Sequence, residues 1–172
     1  RMARRVNKQQ TIETIERLRT GIPNLCLRTT MLTGFPGETD EQFDELIEFV
    51  NETRFDRLGV FSYSFEEATP SAHLTDHISD EIKAERRETL MLAQQKIMYE
   101  RNELLINHTL SVMVDQAVPQ QPDAWVGRTQ ADAPDIDSLV FLTGNGTPLL
   151  PGQIVDAEIV AVRDYDLIGV VI

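Results

Sequence analysis

Residues Leu27 to Thr39 read Leu-Arg-Thr-Thr-Met-Leu-Thr-Gly-Phe-Pro-Gly-Glu-Thr. An apolar, β-branched run ends in a turn holding Gly34, Pro36 and Gly37, and a helix signal follows at once. Thr39 stands three residues before Gln42, the spacing of a capping box. This is the pattern of a strand–turn–helix junction, with small residues and free backbone N–H groups at the carboxyl end of the strand. Ligands of α/β proteins bind at that end. The common nucleotide loops do not fit: there is no Gly-x-Gly-x-x-Gly, and no Gly-Lys-Ser/Thr closes the turn.

The neighbouring residues extend the pattern. Residues 25–33 read as a buried strand, apolar and β-branched on both faces. Phe43, Leu46, Ile47 and Val50 then recur at the spacing of an amphipathic helix. Arg57 to Ser64 reads as the next strand. On the amino side, residues 8–20 read as a helix with Ile12, Ile15 and Leu18 near one face, stopped by Gly21 and Pro23. Helix–strand–helix–strand with short connections predicts right-handed crossovers and parallel strands. Two strands make no stable sheet, so this region reads as a slice of something larger.

Glu66 to Asp76 is a polar loop containing Pro70. Ser79 caps a long helix predicted to run to about Asn107, with Ile82, Leu90, Ala93, Ile97 and Leu104 as its packing face. At 1.5 Å per residue it would extend roughly 40 Å, which suits a strut linking two domains. Beyond it, Leu110, Val112 and Val114 alternate, as do Val155, Ala157, Ile159 and Ala161. Trp125–Gln130, Ser138–Thr143 and Leu167–Ile172 supply three more strands. Five short strands at this spacing predict a small antiparallel, OB-like barrel. The expected division is 1–78 for the α/β part, 79–107 for the linking helix and 108–172 for the barrel.

Charge separates these parts. The chain of 172 residues has a net charge of −12. Residues 106–172 carry only Arg128 and Arg163 against nine acids, and no lysine. Phosphate neutralisation needs Lys and Arg, so this half should repel nucleic acid and attract a basic protein; acidity that merely keeps the chain soluble is the other reading. No run of 18 apolar residues suggests a membrane span, and the N-terminus resembles no signal peptide. The single cysteine, Cys26, excludes an internal disulfide and suits a reducing cytoplasm. The start at Arg1, without an initiator methionine, reads as the interior of a longer protein.

Catalytic constellations are scarce. His73 and His77 have a spacing that metal ligands use, but no further ligands complete a set. Cys26 reads as a packed thiol, Glu66 and Glu67 as surface charge. Asp132, Asp135 and Asp137 around Pro134 read as a solvated acidic loop or a docking surface for a basic partner.

Leu27-Arg28-Thr29-Thr30 followed by Thr33-Gly34-Phe35-Pro36-Gly37-Glu38-Thr39 resembles the fifth-strand motif of radical S-adenosylmethionine methylthiotransferases. Arg57 to Ser64 resembles the sixth strand, followed by Glu66-Glu67-Ala68-Thr69-Pro70. Met2-Ala3-Arg4-Arg5 is similar to the segment after the fourth strand. Residues 106–172 resemble the family's C-terminal TRAM domain, through Gly127-Arg128, Asp132-Ala133-Pro134, Ile136-Asp137, Pro151-Gly152 and Asp164-Tyr165-Asp166-Leu167.

Several things follow from that resemblance. The fold would be the last part of a TIM-like radical barrel, the linking helix and the TRAM barrel. The chemistry would be methylthiolation with S-adenosylmethionine and two 4Fe–4S clusters. Clusters need cysteine thiolates, which one cysteine cannot supply, so these residues alone would be inert. Gly34, Phe35, Pro36, Gly37 and Glu38, with Tyr63 and Ser64, would line the adenosine side of the cofactor pocket. Arg28 and Thr30 would contact cofactor or target if they point into the barrel. The Ala-Asp-Ala-Pro stretch and the acidic barrel favour the RimO branch, which acts on the β-carbon of an aspartate in small-subunit ribosomal protein S-twelve. Arg128, Asp132, Asp135 and Asp137 would then dock that basic substrate. The alternatives are a MiaB-like tRNA enzyme and an RNA-binding module stacking bases on Trp125 and Phe141. Ala68 and Ser138 stand where the family usually has glycine.

Overall fold

The computed structural model describes residues 5–146 and 148–172. Met2-Ala3-Arg4, part of the segment likened to the family, lies outside the described residues. The chain divides into two compact units, one ending at Gln94 and one beginning at Gln95.

In the first unit, α1 (Lys8–Gly21) is followed by β1 (Arg28–Thr33), α2 (Asp40–Thr53) and β2 (Arg57–Ser62). Both helices begin in capping boxes. At α2, Thr39 Oγ1 accepts from Gln42 N–H and Gln42 Oε1 accepts from Thr39 N–H. At α1, Asn7 and Gln10 exchange the same pair of bonds. Strands β1 and β2 pair in parallel, in register from Arg28 opposite Arg57 to Thr33 opposite Ser62.

The expected buried strand is only half covered. Arg28 and Thr30 are exposed, Thr29, Met31 and Leu32 are intermediate, and Thr33 alone is buried. Among the described residues the sheet has two strands, and they cover one face of it. Leu58 and Val60 lie inside with Phe43, Val50, Phe55 and Leu90, while Phe61 on the opposite face is 63% exposed.

A short 3-10 turn, Pro70–His73, interrupts the polar loop, and α3 (Asp80–Glu103) follows. Ser79 caps it, accepting from Ile82 N–H through its hydroxyl and from Lys83 N–H through its carbonyl. The predicted packing face holds at Leu90 and Ile97 and needs correcting elsewhere. Ile82 is 43% exposed and Leu104 73%, whereas Lys83, Arg86, Leu90, Gln94, Ile97, Met98 and Asn102 are buried. The inner face of α3 thus carries charged and amide groups that bond to the chain around them. One example is Gln94 Nε2, which donates to the Phe55 carbonyl. The helix ends at Glu103, and residues beyond it close turns instead of continuing to Asn107.

The second unit contains a closed barrel in the order β3 (Thr109–Ala117), β4 (Ala124–Thr129), β5 (Val140–Thr143), β7 (Asp166–Val171) and β6 (Ile154–Arg163), with β6 returning to β3. Four pairings are antiparallel; β5 and β7 run parallel. An all-antiparallel barrel is therefore not what forms, because β7 inserts between β5 and β6 rather than following in meander order. Val112, Val114, Val140, Leu142, Leu149, Val155, Ala157, Ile159 and Leu167 fill the interior.

Gly127 explains part of the Gly-Arg motif. A Cβ there would sit 2.4 Å from the Met113 carbonyl, so only glycine allows β3 to lie so close. Beside it the β3 register shifts between Val114 and Gln116, and Asp115, at that bulge, pairs with Arg128.

Candidate functional site

The turn that follows β1 is self-supporting. Gly34 and Gly37 have φ of +76° and +80°, conformations open to glycine at little cost. Glu38 folds back, and its Oε1 accepts from Gly34 N–H at 2.9 Å and from Thr33 Oγ1 at 3.1 Å. Gly37 N–H donates to the Asp76 carbonyl and Glu38 N–H to the Phe35 carbonyl. The expectation of free N–H groups at this corner is thus corrected: these three are taken up internally. What the turn presents outward is shape.

Helix α3 holds it from behind. Arg86 Nη1 donates to Glu38 Oε1 at 2.7 Å and to the Glu38 carbonyl at 3.2 Å, and Nη2 donates to Asp40 Oδ1 at 2.6 Å. The stem of Lys83 fills the space over Gly34, where a Cβ would meet Lys83 Cγ at 2.5 Å. The Lys83 ammonium lies 5.7 Å from the centre of the Tyr63 ring. Tyr63 packs edge-on to Phe35, centroids 5.4 Å apart, and its hydroxyl donates to Ser71 Oγ. Lys83 and Arg86 were missed by sequence reasoning. Their one signal was a lysine and an arginine three apart, with Leu90 four further on, in line on a helix.

The sequence-predicted cofactor residues fall into two groups. Gly34, Pro36 and Tyr63 are buried beneath the turn and shape it. Phe35, Gly37 and Glu38 are intermediate, while Ser64, Arg28 and Thr30 are exposed. Arg28 and Thr30 share the open face of the sheet with Gly59 and Phe61, and that face runs into the turn. His77 lies against the rings of Phe65 and Tyr63, at 5.4 and 6.2 Å. Ala68 and Ser138 do not have positive φ, so the replacement of glycine imposes no backbone strain at either place.

The residues taken from the barrel as docking groups are mostly engaged within it. Asp132 Oδ2 accepts from Thr129 Oγ1 at 2.6 Å and from Thr129 N–H at 3.2 Å. Asp137 Oδ2 accepts from Ala133 N–H at 2.6 Å. Arg128 pairs with Asp115. These three shape the strand end and the β4–β5 loop, whereas Asp135 stands exposed at its tip with φ +60°. Trp125, partly buried, packs against the barrel interior. Phe141 is 37% exposed. Tyr165 beside Tyr99 has its phenol pKa raised, first by burial and then by that neighbour.

The fit to the implied cofactors differs between them. Cys26 is the one thiol, so a cysteine-held cluster does not fit these residues. For an adenosine group these residues offer accessible surface only: Phe35 and Gly37 are partly exposed and Ser64 is exposed. No helix among the described residues is long and apolar enough to cross a membrane.

Comparison with known proteins places residues 106–172 in the TRAM domain family. Over 171 residues, 99% of the chain, it is 44% identical to the ribosomal protein uS12 methylthiotransferase RimO of Desulfitobacterium hafniense, and it covers 38% of that protein. It is 45% identical over 168 residues to the protein of the same name from Pelobacter propionicus, covering 98% of the chain and 37% of the relative. The Clostridioides difficile protein of that name is 42% identical over 168 residues, with 98% and 37% covered. The chain thus spans well under half the length of the curated relatives it matches.

Proposed function

We propose that this chain, which belongs to the RimO family of ribosomal protein uS12 methylthiotransferases, forms one wall of that enzyme's cofactor site together with an acidic barrel that meets the protein substrate. Strands β1 and β2 are then late strands of an α/β barrel, seen from their interior side, with α2 the helix that connects them. The observation that carries this is the open β1–β2 face. It presents Arg28, Thr30 and Phe61 and leads into the Gly34–Glu38 turn at the carboxyl end of β1, where α/β barrels build their sites.

Bound S-adenosylmethionine supplies the radical and the methyl group of this family's chemistry on the β-carbon of an aspartate. The residues here position and enclose. Phe35, Gly37 and Ser64 bound the adenosine side, and Arg28 and Thr30 face the reacting space. The clusters are held elsewhere in the protein, which is why these residues alone are inactive. The reaction belongs in the reducing cytoplasm, where the substrate is made.

Charge supports a protein substrate over tRNA. Two arginines against nine acids give residues 106–172 little with which to neutralise phosphates and much with which to attract a basic protein. Asp135 at the loop tip presents that charge, with Asp132 and Asp137 fixing the loop behind it. The test is a titration of this chain against purified uS12 and against tRNA at two salt concentrations. Binding to uS12 that weakens as salt rises is expected. Absence of that binding at low salt by a folded chain, or tight binding of tRNA, overturns the substrate assignment.

A further inference from the structure

We infer that Arg86 is a positioning residue for the cofactor turn, setting the shape of Gly34–Glu38 through a single carboxylate oxygen of Glu38. This rests on the proposed role of that turn as a wall of the S-adenosylmethionine site.

Three donors converge on Glu38 Oε1: Gly34 N–H, Thr33 Oγ1 and Arg86 Nη1. The first two belong to the end of β1 and the start of the turn. The third comes from α3, 48 residues along the chain. Without Arg86, Glu38 would be a half-buried carboxylate held by two local, neutral donors. With it, the carboxylate is fixed by a charge-assisted bond whose other end is itself buried. Arg86 is 6% exposed, and its second nitrogen is anchored on Asp40 in the first turn of α2. The guanidinium also lies 5.2 Å from the centre of the Phe43 ring, which limits its swing. It further donates to the Glu38 main-chain carbonyl, so backbone and side chain of one residue are held by one nitrogen.

The consequence reaches the outward surface. Gly34 and Gly37 sit at positive φ and have many alternative conformations. The bond from Gly34 N–H to Glu38 closes the turn across its base, and Arg86 holds that bond in place. Phe35 and Gly37, the parts proposed to meet adenosine, lie between the two pinned ends. A lysine at 86 would supply charge but could not span Glu38 and Asp40 with two nitrogens.

The experiment uses the intact natural protein carrying Arg86→Met, Arg86→Lys or Glu38→Gln. S-adenosylmethionine affinity is measured by equilibrium dialysis, and backbone exchange at Gly34 and Gly37 by hydrogen–deuterium exchange. Arg86→Met is expected to weaken cofactor binding about tenfold, the order of one lost charge-assisted bond. It should also speed exchange at Gly34 and Gly37, with the rest of β1 and α2 unchanged. Arg86→Lys should recover part of both effects. Glu38→Gln, which keeps size and removes the anion, should weaken binding without unfolding and serves if Arg86→Met does not fold. Unchanged affinity in folded Arg86→Met, or in Glu38→Gln where that variant stands in, overturns the inference. Failure of the unaltered protein to bind S-adenosylmethionine overturns instead the reading of the turn.

Discussion

The two sheets of this chain satisfy their hydrogen bonds in different ways. Strands β3 to β7 close on themselves, so every barrel strand has two neighbours. Strands β1 and β2 have only each other among the described residues. One face of that pair is buried and the other shows Arg28, Thr30 and Phe61. Closure abolishes edges and fills the interior with aliphatic side chains, whereas an open pair leaves edges and a face for other groups. The barrel is therefore built to stand, and the open pair is built to be completed.

The largest test of that contrast is core truncation. Leu142, 2% exposed, lies in the barrel interior, and its change to Ala is expected to cost about 3 kcal/mol, read by Trp125 fluorescence during urea unfolding. Leu90, fully buried in the first unit, should cost less when changed to Ala, because an open sheet collapses around a cavity more readily than a closed barrel. Amide exchange in β1 and β2 reads this second variant. Equal costs would break the contrast.

Glycines offer a finer probe. Gly127→Ala drives a methyl against the Met113 carbonyl and should cost about 2 kcal/mol by loss of denaturation midpoint. Gly59→Ala, on the open face, meets nothing nearer than Phe61 Cε2 at 3.9 Å and should be close to neutral. A costly Gly59→Ala would mean that the open face is already covered.

The smallest effect separates the units by pH. Glu41 and Glu81 have lowered pKa values, chiefly through backbone N–H bonds at the starts of α2 and α3, then through Thr39 and Ser79. Their folded pKa lies below the unfolded one, so their contribution is present at neutral pH and fades as pH falls through the lowered values. Tyr165 is the opposite case: its folded pKa is raised, so its contribution holds through neutral pH and is lost as alkali ionises it. Acid should thus loosen the starts of α2 and α3 and alkali the surroundings of Tyr165. Far-UV circular dichroism of a Glu41→Gln, Glu81→Gln double variant reads the first, which should lose less helix below about pH 4 than the unaltered chain. Phenolate absorbance reads the second. An acid response unchanged in that variant would assign it to other groups.

Local signals were legible in the sequence. The Thr39–Gln42 box and the Ser79 cap form as read, because they depend on residues three or four apart. The barrel strands were legible through their period of two, since a closed barrel buries alternate residues. Long-range facts were not. The parallel β5–β7 pairing depends on where β7 inserts, which alternation does not encode. The inner face of α3 was read only in part: Leu90 and Ile97 are buried as hydropathy predicts, but ion pairs and amide bonds bury its polar members, and Lys83 and Arg86 look like surface residues until their partners are in place. For the same reason the sequence did not show how Glu38, read as lining the cofactor pocket, and Asp132, read as a docking group, are held. Both carboxylates are pinned by donors on the protein itself.

The place of β7 in the barrel bears on how the chain acquires its shape. The strand that is last in order lies between β5 and β6, so both of its neighbours must wait for residues 166–171 before either seam can form. Until then β6 has only β3 beside it and β5 has only β4. The β6–β7 seam is a tight hairpin closing at Arg163 and Asp166, but the β5–β7 seam pairs Val140 with Leu167, and pairings of long sequence separation are slow to form. During synthesis the first unit's helices can therefore assemble well before the barrel does, and a nascent chain stopped short of β7 would expose two unpaired edges and an unfilled interior, a natural target for chaperones.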